Sequence, residues 1–348
     1  MQADARRILI VKLSSIGDVV QALPVAAALR RRFPTAYLAW AVKPAAAPVV
    51  VGNPQLDDTL IVGGEGESRP GVKPLPALRE PLALRRALQA IGFDLALDMQ
   101  GLFRSALVAY LSGAKDRVGF RNFQEGTFLL NNRRIVPDRR DVHAVEGYLG
   151  FAAAVGAPTQ PVAFTIATTC EEEEQAEALL AAHRNCVALV PGARWLSKRW
   201  SPACFAAVCD ALHTEYGGDG IVVGGPEDGA LAAEIVAAAK SPVRDLTGGT
   251  TLKQLAAVFR RCVLTVANDT GPMHISSAVG TPTVAVFGPT DAARLGPYGE
   301  NHATVSASLH CAPCRRRNCS PARCMAAVTV AQVMDAARRV RRAGQGTR

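Results

Sequence analysis

Long apolar runs and aromatic residues are both scarce in this chain of 348 residues. Aromatic residues make up 5% of the chain although 49% of it is hydrophobic, so alanine, valine and leucine must fill the core. No uninterrupted apolar run approaches the roughly 18 residues of a membrane-spanning helix. The first apolar stretch, residues 8–11, is shorter than the about 7–15 residues that a signal peptide needs. The composition therefore predicts a globular enzyme in the cytoplasm and argues against a disordered chain.

The length predicts two domains rather than one. In a cytoplasmic protein, the nine cysteines are expected to be mostly reduced.

Positive charge is unevenly distributed along the chain, whose net charge is +9. Residues 1–160 carry 20 lysines and arginines against 14 acidic residues, and residues 161–310 carry 10 against 15. Residues 311–348 carry nine arginines and one aspartate. One interpretation is that the first half and the tail face an anionic partner such as a phosphorylated lipid surface. The other is ordinary solvation of the surface by arginine.

Short apolar runs alternate with helical stretches rich in alanine and leucine, which predicts parallel sheets covered by helices. Two such blocks predict two Rossmann-like domains, 1–160 and 161–325, followed by a helix over 326–348. Ligands of open parallel sheets bind at the carboxyl ends of the strands, so a cleft between the domains is the expected site. Strands are predicted at 8–11, 37–42, 59–62, 95–99, 186–190, 220–223, 263–266 and 283–287. Helices are predicted at 24–32, 44–51, about 80–91, about 102–113, about 202–215 and about 227–239, and from Thr251 and Gly271.

The first motif, KLSSIGD, follows the first predicted strand and ends at Asp18. Gly17 permits a tight turn. Pro24 predicts that the next helix starts late or kinks, which leaves Asp18 in or beside a turn at the cleft. The alternative is that Asp18 caps the helix.

Two further motifs follow strands of the second block. PGARWLSKRW contains Lys198 and Arg199, cations where a diphosphate would sit, or else a solvated basic loop. GGPED contains Asp228, which would accept hydrogen bonds from ribose hydroxyls or would simply start a helix.

The motif NDTGPMH, completed by GPTD, opens a helix directly after a strand. Asp269, Thr270 and Gly271 lie where helix N–H groups and a partial positive charge would attract phosphate. His274 lies one turn into this helix, where it has either a structural or a binding role.

Four cysteines fall within fourteen residues near the end of the chain: Cys311, Cys314, Cys319 and Cys324. They are candidates for a zinc or iron–sulfur site, for disulfides formed under stress, or for no role. The arginines between them favour an electrostatic role for the segment, and no metal is included in the predicted site.

Taken together, these motifs resemble the ADP-heptose:lipopolysaccharide heptosyltransferases, glycosyltransferase family nine, which have the GT-B fold. The matching segments are spread over about residues 8–301 and occur in the same order as in the family. Its segments are ILIVKLSSIGDVVQALP, DMQGLFRSAL, HAVEGY, PGARWLSKRW, GGPEDG, NDTGPMHISSAVGTPTVAVFGPTD and the closing GEN.

The resemblance implies an α/β GT-B fold, in which the final helix, 326–348, is expected to return to the N-terminal domain. It also implies a role for each matching residue. Asp18 matches the catalytic base, and the remaining matches form the donor site. Lys198 contacts the phosphates of the donor, Asp228 the ribose, and Thr250 the adenine side. The loop that binds phosphate and sugar is matched by Asp269, Thr270, Gly271 and His274.

The implied reaction moves heptose from ADP-heptose to the inner core of lipopolysaccharide, on Kdo or the first heptose, with inversion. No cofactor is required, because Lys198 and a helix dipole take the place of a metal, and domain closure is expected. The acceptor, Kdo-lipid A at the inner-membrane surface, is expected on the N-terminal domain. Its candidate ligands there are Ser15, Gly17, Arg104, Arg117 and Arg121.

The expected protein is a cytoplasmic monomer, peripheral to the inner membrane, that binds no nucleic acid. Its first half is more similar to the enzymes that add the first heptose, and PGA…KRW to those that add the second. Ala193 and Arg194 replace the pair of threonines of the first type. The alternatives are transfer from another nucleotide sugar, a GT-B-like sugar-nucleotide epimerase and, more distantly, a basic nucleic-acid-binding protein. No helix-turn-helix, zinc-finger or RRM signature supports the last.

Overall fold

The computed structural model describes residues 7–121, 124–136, 141–319 and 322–345. Contacts divide the chain into two units, Met1–Ala167 and Thr168–Arg348. The division falls seven residues beyond the predicted boundary at 160, because the segment before Thr168 contacts the first unit. For example, the Asn53 side chain donates to the Thr165 carbonyl at 3.1 Å.

The first unit is a parallel sheet of seven strands in the order β4-β3-β2-β1-β5-β6-β7. Its strands are β1 (Arg7–Val11), β2 (Tyr37–Val42), β3 (Asp58–Val62), β4 (Val72–Leu75), β5 (Leu95–Asp98), β6 (Asp116–Phe120) and β7 (Arg133–Val136). Its helices are α1 (Ile16–Arg32), α2 (Ala47–Val50), α3 (Pro81–Gln89), α4 (Phe103–Leu111) and α5 (Ala144–Ala154), with 3-10 segments at Pro44–Ala46 and Gln124–Leu129.

The second unit is a parallel sheet of six strands in the order β10-β9-β8-β11-β12-β13. Its strands are β8 (Val187–Val190), β9 (Gly220–Val222), β10 (Val243–Asp245), β11 (Leu264–Asn268), β12 (Thr283–Phe287) and β13 (His302–Ser306). Its first five helices are α6 (Cys170–Leu180), α7 (Pro202–Tyr216), α8 (Gly229–Ala238), α9 (Leu252–Arg261) and α10 (Gly271–Ala278). They are followed by α11 (Ala292–Leu295), α12 (Arg323–Ala326) and α13 (Val330–Gln345), and 3-10 segments lie at Leu196–Lys198 and Pro226–Asp228.

Each sheet carries its own hydrophobic core. In the first unit, Leu9 and Val11 of β1 pack with Leu84 and Leu88 of α3 and with Val108 of α4. In the second, strand residues pack with Trp200, Phe205 and apolar positions of α13. The central strands are buried on both faces, as parallel strands covered by helices must be.

Helix α1 begins eight residues before the predicted start at residue 24. Ser15 and Asp18 form a capping box at its N-terminus, and this local hydrogen bonding starts the helix upstream of the proline. Pro24 lies inside the helix, where it lacks the N–H that would bond to the Val20 carbonyl. The prediction of a late start is therefore wrong, because it weighed the proline and not the cap.

Strand β4 lies within residues 63–78, where the many glycines and prolines of the sequence predict a loop. This strand tolerates Pro74 because it lies at the edge of the sheet, where a missing N–H leaves no neighbour unpaired. Strands β6, β7, β10 and β13 were not predicted either, and β10 and β13 are polar and partly exposed.

Helix α13 packs on α7, β12 and β13 within the second unit. The return of this helix to the N-terminal domain stays a prediction, and residues 346–348 lie outside the described part of the chain. In the described residues, no helix is both long enough and apolar enough to cross a membrane.

Asp210 of α7 holds the loop that follows α8. Its Oδ1 accepts hydrogen bonds from the backbone N–H groups of Lys240 and Ser241 and from the Ser241 hydroxyl, each at 2.8 Å. Burial alone raises the pKa of Asp210, but these three donors outweigh it and lower the pKa below its usual value.

We expect Asp210→Asn to lower the free energy of unfolding by about 1 kcal/mol at pH 7, a figure reduced for the partial exposure of the carboxylate. Because the folded-state pKa is depressed, this contribution is present above about pH 3.9 and is lost as the pH falls through the folded-state pKa. Urea unfolding of both proteins at pH 7 and pH 3 measures it. A difference as large at pH 3 as at pH 7 would contradict the assignment.

Candidate functional site

The strand order reverses at the first strand of each sheet. Strand β1 lies between β2 and β5, and β8 lies between β9 and β11. The segments that leave neighbouring strands at such a point turn in opposite directions and open a crevice at the carboxyl ends. The residues that follow β1, β5, β8 and β11 are therefore the candidates for ligand binding.

Asp18 follows β1 and is fixed by three hydrogen bonds. Its Oδ2 accepts from the Ser15 N–H at 3.2 Å and from the Ser15 hydroxyl at 2.7 Å. Its Oδ1 accepts from the Tyr148 hydroxyl of α5 at 3.2 Å. Asp18 thus caps α1, as the alternative interpretation predicted, and its half-buried carboxylate also lies at the carboxyl edge of the sheet. The two roles are compatible.

Sequence reasoning did not assign roles to the buried groups around Asp18. Lys12 is only 4% exposed, and its Nζ lies 4.8 Å from the centre of the Tyr148 ring. Burial lowers the pKa of Lys12, while the negative charges of Asp18 and Asp98 oppose that shift. Asp98 and Tyr148 fall in the motifs DMQG and HAVEGY, which carry the family resemblance, so a signal was present without a role attached to it.

Asp98 and Gln100 connect the segments after β5 and β1. The Gln100 Oε1 accepts from the N–H groups of Leu13 at 2.8 Å and Ser14 at 3.2 Å. Asp98 is fully buried and accepts from the Asn131 amide at 2.9 Å. Burial raises the pKa of Asp98, and hydrogen bonds from Ser105, Asn131 and backbone N–H groups act against it.

The predicted acceptor ligands do not all lie together. Gly17 is in the first turn of α1 beside Ser15, Arg104 is exposed in the first turn of α4, and Arg121 is exposed just beyond the carboxyl end of β6. Arg117 lies near the amino end of β6. Its guanidinium donates to the carbonyls of Leu130 at 2.7 Å and Ala114 at 2.6 Å, so it is committed to holding backbone.

In the second unit, Lys198 and Asp269 form an ion pair across the reversal point. Lys198 follows β8 and Asp269 follows β11, and their Nζ and Oδ2 atoms are 2.6 Å apart. Both side chains are largely buried, at 15% and 8% exposed. The Thr290 hydroxyl also donates to Asp269, at 2.5 Å, and the Lys198 ammonium lies 4.5 Å from the Trp195 ring centre. An anion entering here would meet a cation already held in place.

Helix α10 begins directly after Asp269. Thr270 is its N-cap residue and supplies no side-chain cap within the described structure, so the first N–H groups are left to other partners. Gly271 and Pro272 form the first turn, where proline's missing N–H costs nothing. His274 is only 7% exposed on the next turn. The polar end of this helix and Lys198 thus lie at the same edge of the sheet.

Asp228 ends the 3-10 segment after β9 and is 7% exposed. It accepts from the Gly225 N–H at 3.1 Å, and burial raises its pKa. Gly192, after β8, packs so closely that an added Cβ would lie 2.2 Å from the Asp228 carboxylate. Thr250 is half-buried between β10 and α9, next to Thr251, which caps α9.

A cavity of about 790 Å³ opens at the carboxyl ends of β12 and β13. It is lined by Thr290, Asp291, Ser306, Ser308 and His310, among others. Thr290 joins this cavity to Asp269, but the strand reversal lies one strand away, between β8 and β11. The geometry therefore favours Lys198 and α10 over the cavity as the place for an anionic ligand.

The cysteine segment follows β13. Cys324 is buried beside Gly288, Cys314 is half-buried, and Cys311 and Cys319 are exposed. In the described ranges, no three metal-ligating side chains are grouped as a metal site requires. The arrangement of these cysteines gives a metal site no support.

We expect Gly192→Ala to lower the free energy of unfolding of the second unit by about 1–3 kcal/mol, because the new methyl group must displace the buried Asp228 carboxylate. Gly229→Ala is the matched control, since its Cβ would meet nothing closer than 4.0 Å. Urea unfolding followed by tryptophan fluorescence compares the two. Equal stability of the two variants would show that Asp228 is not held against Gly192.

The chain matches the family model of glycosyltransferase family 9 (heptosyltransferase) over residues 81–324, which is 244 of its 348 residues. A lipopolysaccharide core heptosyltransferase of Haemophilus influenzae, OpsX, is 27% identical over 301 residues, 85% of this chain and 83% of that protein.

Two solved structures share the fold. The glycosyl transferase family 9 protein of Veillonella parvula superposes with a TM-score of 0.82 at 22% identity, covering 98% of each chain. The ADP-heptose lipopolysaccharide heptosyltransferase II of Escherichia coli superposes with a TM-score of 0.78 at 22% identity, covering 97% of this chain and 99% of the other. These likenesses confirm the predicted α/β class with two Rossmann-like units of GT-B type. The chain therefore belongs to glycosyltransferase family 9, and it is a glycosyltransferase.

Proposed function

We propose that this glycosyltransferase moves heptose from ADP-heptose to the inner core of lipopolysaccharide, on Kdo or the first heptose, with inversion at the anomeric carbon. The observation that carries the proposal is what lies at the carboxyl edges of the two sheets, where the strand order reverses. One holds a fixed carboxylate, Asp18, and the other holds a cation and a helix N-terminus, Lys198 and Gly271. The names of the bacterial relatives supply the sugar and the acceptor class.

The donor lies on the second unit in this proposal. Its diphosphate binds Lys198 and the N–H groups of α10 at Thr270 and Gly271, where the charge of the departing ADP is stabilised. The ion pair with Asp269 holds the lysine ready for this, since the ammonium needs only to exchange or share one oxygen partner. Asp228 accepts from the ribose hydroxyls, Thr250 lies on the adenine side, and His274 supports the loop.

The acceptor binds the first unit beside Asp18. The Asp18 carboxylate takes the proton of the acceptor hydroxyl while that oxygen attacks the anomeric carbon, and the bond from that carbon to the diphosphate breaks. ADP leaves with the bonding electrons. Because the oxygen attacks from the face opposite the diphosphate, the configuration at the anomeric carbon inverts. A general base in this position contributes typically about 10²–10⁴-fold. Three hydrogen bonds keep the carboxylate oriented for this step.

Charged groups at the same edge suit an acceptor that carries carboxylates and phosphates. The proposed acceptor contacts are Ser15, Gly17, Arg104 and Arg121. The two arginines would bind the carboxylates or phosphates through paired hydrogen bonds. Arg117 has less support, since its guanidinium is held by Leu130 and Ala114. We propose that the protein works as a cytoplasmic monomer, peripheral to the inner membrane, without a metal or other cofactor.

Asp18→Asn keeps the size of the side chain and one acceptor oxygen but cannot take a proton. We expect the rate of heptose transfer to fall by about 10²–10⁴-fold, while the affinity for ADP changes by less than about twofold. Transfer to Kdo-lipid A and calorimetric ADP binding measure the two. Tyr148→Phe, which removes only one hydrogen bond to Asp18, should lose far less activity. Near-normal transfer by Asp18→Asn would remove Asp18 as the base.

Lys198→Met keeps the length of the side chain and removes its charge. We expect the dissociation constant of ADP to rise by about 10–100-fold, because a charge-assisted contact to phosphate contributes about 1.5–3 kcal/mol. Lys240→Met is the matched control, since Lys240 is exposed and precedes β10 at the amino edge of the same sheet. Equal ADP affinity in the two variants would exclude Lys198 from the donor site.

A further inference from the structure

Large apolar side chains that are exposed to solvent cluster on one surface of the first unit. Of the seven such side chains in the described residues, four lie on α4 or in the 3-10 segment Gln124–Leu129. They are Phe103 (48% exposed), Tyr110 (49%), Phe128 (40%) and Leu129 (73%). Single exposed apolar residues are ordinary, but a group of four marks an interaction surface. We call these four residues the α4 surface.

Contacts place the 3-10 segment of the α4 surface beside the helix. Phe103 and Tyr110 are seven residues apart on α4 and therefore lie on one face of the helix. Near the start of α4, the Phe103 N–H donates to the Glu125 carboxylate at 3.0 Å. Near its end, the Arg117 guanidinium lies 5.5 Å from the Tyr110 ring centre and donates to the Leu130 carbonyl. The 3-10 segment thus runs beside α4 along its length.

The stretch of sequence that contains the α4 surface is net positive. Residues 101–136 contain six lysines and arginines against two acidic residues. Arg104 and Lys115, at the two ends of α4, are exposed. Arg121 is exposed next to Phe120, whose ring lies against Gly101 just before the helix. These three exposed cations outnumber the exposed carboxylate of Glu125 in the 3-10 segment. An apolar surface flanked by exposed cations is complementary to a bilayer that has an apolar interior and anionic headgroups.

We infer that the α4 surface binds an anionic phospholipid bilayer, with its apolar side chains in the interface and the surrounding cations among the headgroups. This inference rests on the proposed function, because a lipid-linked acceptor lies in such a bilayer. The position of α4 agrees with this inference. The helix follows Gln100, whose side chain holds the segment between β1 and Asp18. Docking through α4 brings the acceptor edge of the sheet to the membrane.

Part of the basic tail is already engaged by other contacts within the molecule. On α13, Arg338 is held by Glu215 and Asp335, and Arg341 stacks 4.1 Å from the Tyr216 ring centre. These two tail arginines are therefore engaged within the second unit. A second copy of the chain is a poorer occupant of the α4 surface, because a two-fold dimer would place two net positive surfaces against each other.

The test compares the full chain with the variant F103S/L129S, using flotation with vesicles of phosphatidylglycerol and phosphatidylethanolamine. We expect the vesicle partition coefficient of the variant to fall by about tenfold or more, because two partly exposed apolar side chains are removed from the interface. Leu82→Ser is the matched control, since Leu82 is 71% exposed on α3, outside the α4 surface. Binding of the wild-type protein should weaken as salt is added and should be weaker on neutral phosphatidylcholine vesicles.

Transfer to a deacylated, water-soluble Kdo acceptor separates the two proposals. Unchanged soluble transfer by F103S/L129S, together with lost vesicle binding and an unchanged Tm, supports the inference. The inference is overturned if F103S/L129S binds vesicles as well as the wild type does, or if Leu82→Ser loses as much vesicle binding as F103S/L129S. It is also overturned if the wild type is an oligomer that dissociates in F103S/L129S. Loss of soluble transfer in the variant also overturns it, since these side chains would then belong to the acceptor site. If the wild type binds vesicles but transfers no heptose to either acceptor, the proposed function fails and the membrane surface stands.

Discussion

The constraint on which this structure depends is the parallel pairing of its strands. Parallel strands require a crossover after each strand, and the crossovers bury both faces of the sheet beneath helices. The ends of the strands remain accessible, and at the carboxyl ends the reversal of strand order at β1 and at β8 opens a crevice. Residues that follow the strands there are anchored by the sheet and can still reach a ligand. Asp18 and Gln100 lie there in the first unit, and Lys198 and Asp269 in the second.

Neighbouring charges and hydrogen bonds offset part of the cost of burying charge at these edges. Lys12 is buried between the charges of Asp18 and Asp98 and beneath the Tyr148 ring. Lys198 is paired with Asp269. Removing one member of such a pair leaves the other uncompensated, which costs more than the pair itself stabilises. The same property makes the sites rigid, since each carboxylate or ammonium has its position set before a substrate arrives. Preorganised charge of this kind is what stabilises a developing leaving group.

The two units use different local solutions for similar tasks. In the first, a capping box and a tyrosine from a distant helix orient a carboxylate. In the second, glycine at position 192 makes room for a buried carboxylate, and the start of α10 supplies backbone N–H groups. The α4 surface adds a further element, because the helix that follows β5 buries one face in the core and exposes two aromatic rings on the other. The short segments that follow individual strands therefore carry both the site residues and the α4 surface.

The sequence by itself determined the class of fold, most of the inner strands and the motifs at their carboxyl ends. It did so because apolar runs, helix starts and glycine-rich turns are local properties of the chain. It missed the early start of α1 and the polar edge strands β10 and β13, where local signals conflict or are weak. Only the tertiary structure decided which groups meet. Tyr148 reaches Asp18 from 130 residues away and Asn131 reaches Asp98 from 33 residues away, whereas Arg117, close in sequence to the site, faces backbone carbonyls instead. Such pairs depend on strand order and on the packing of helices against the sheet, and neither is encoded in the spacing of the residues themselves.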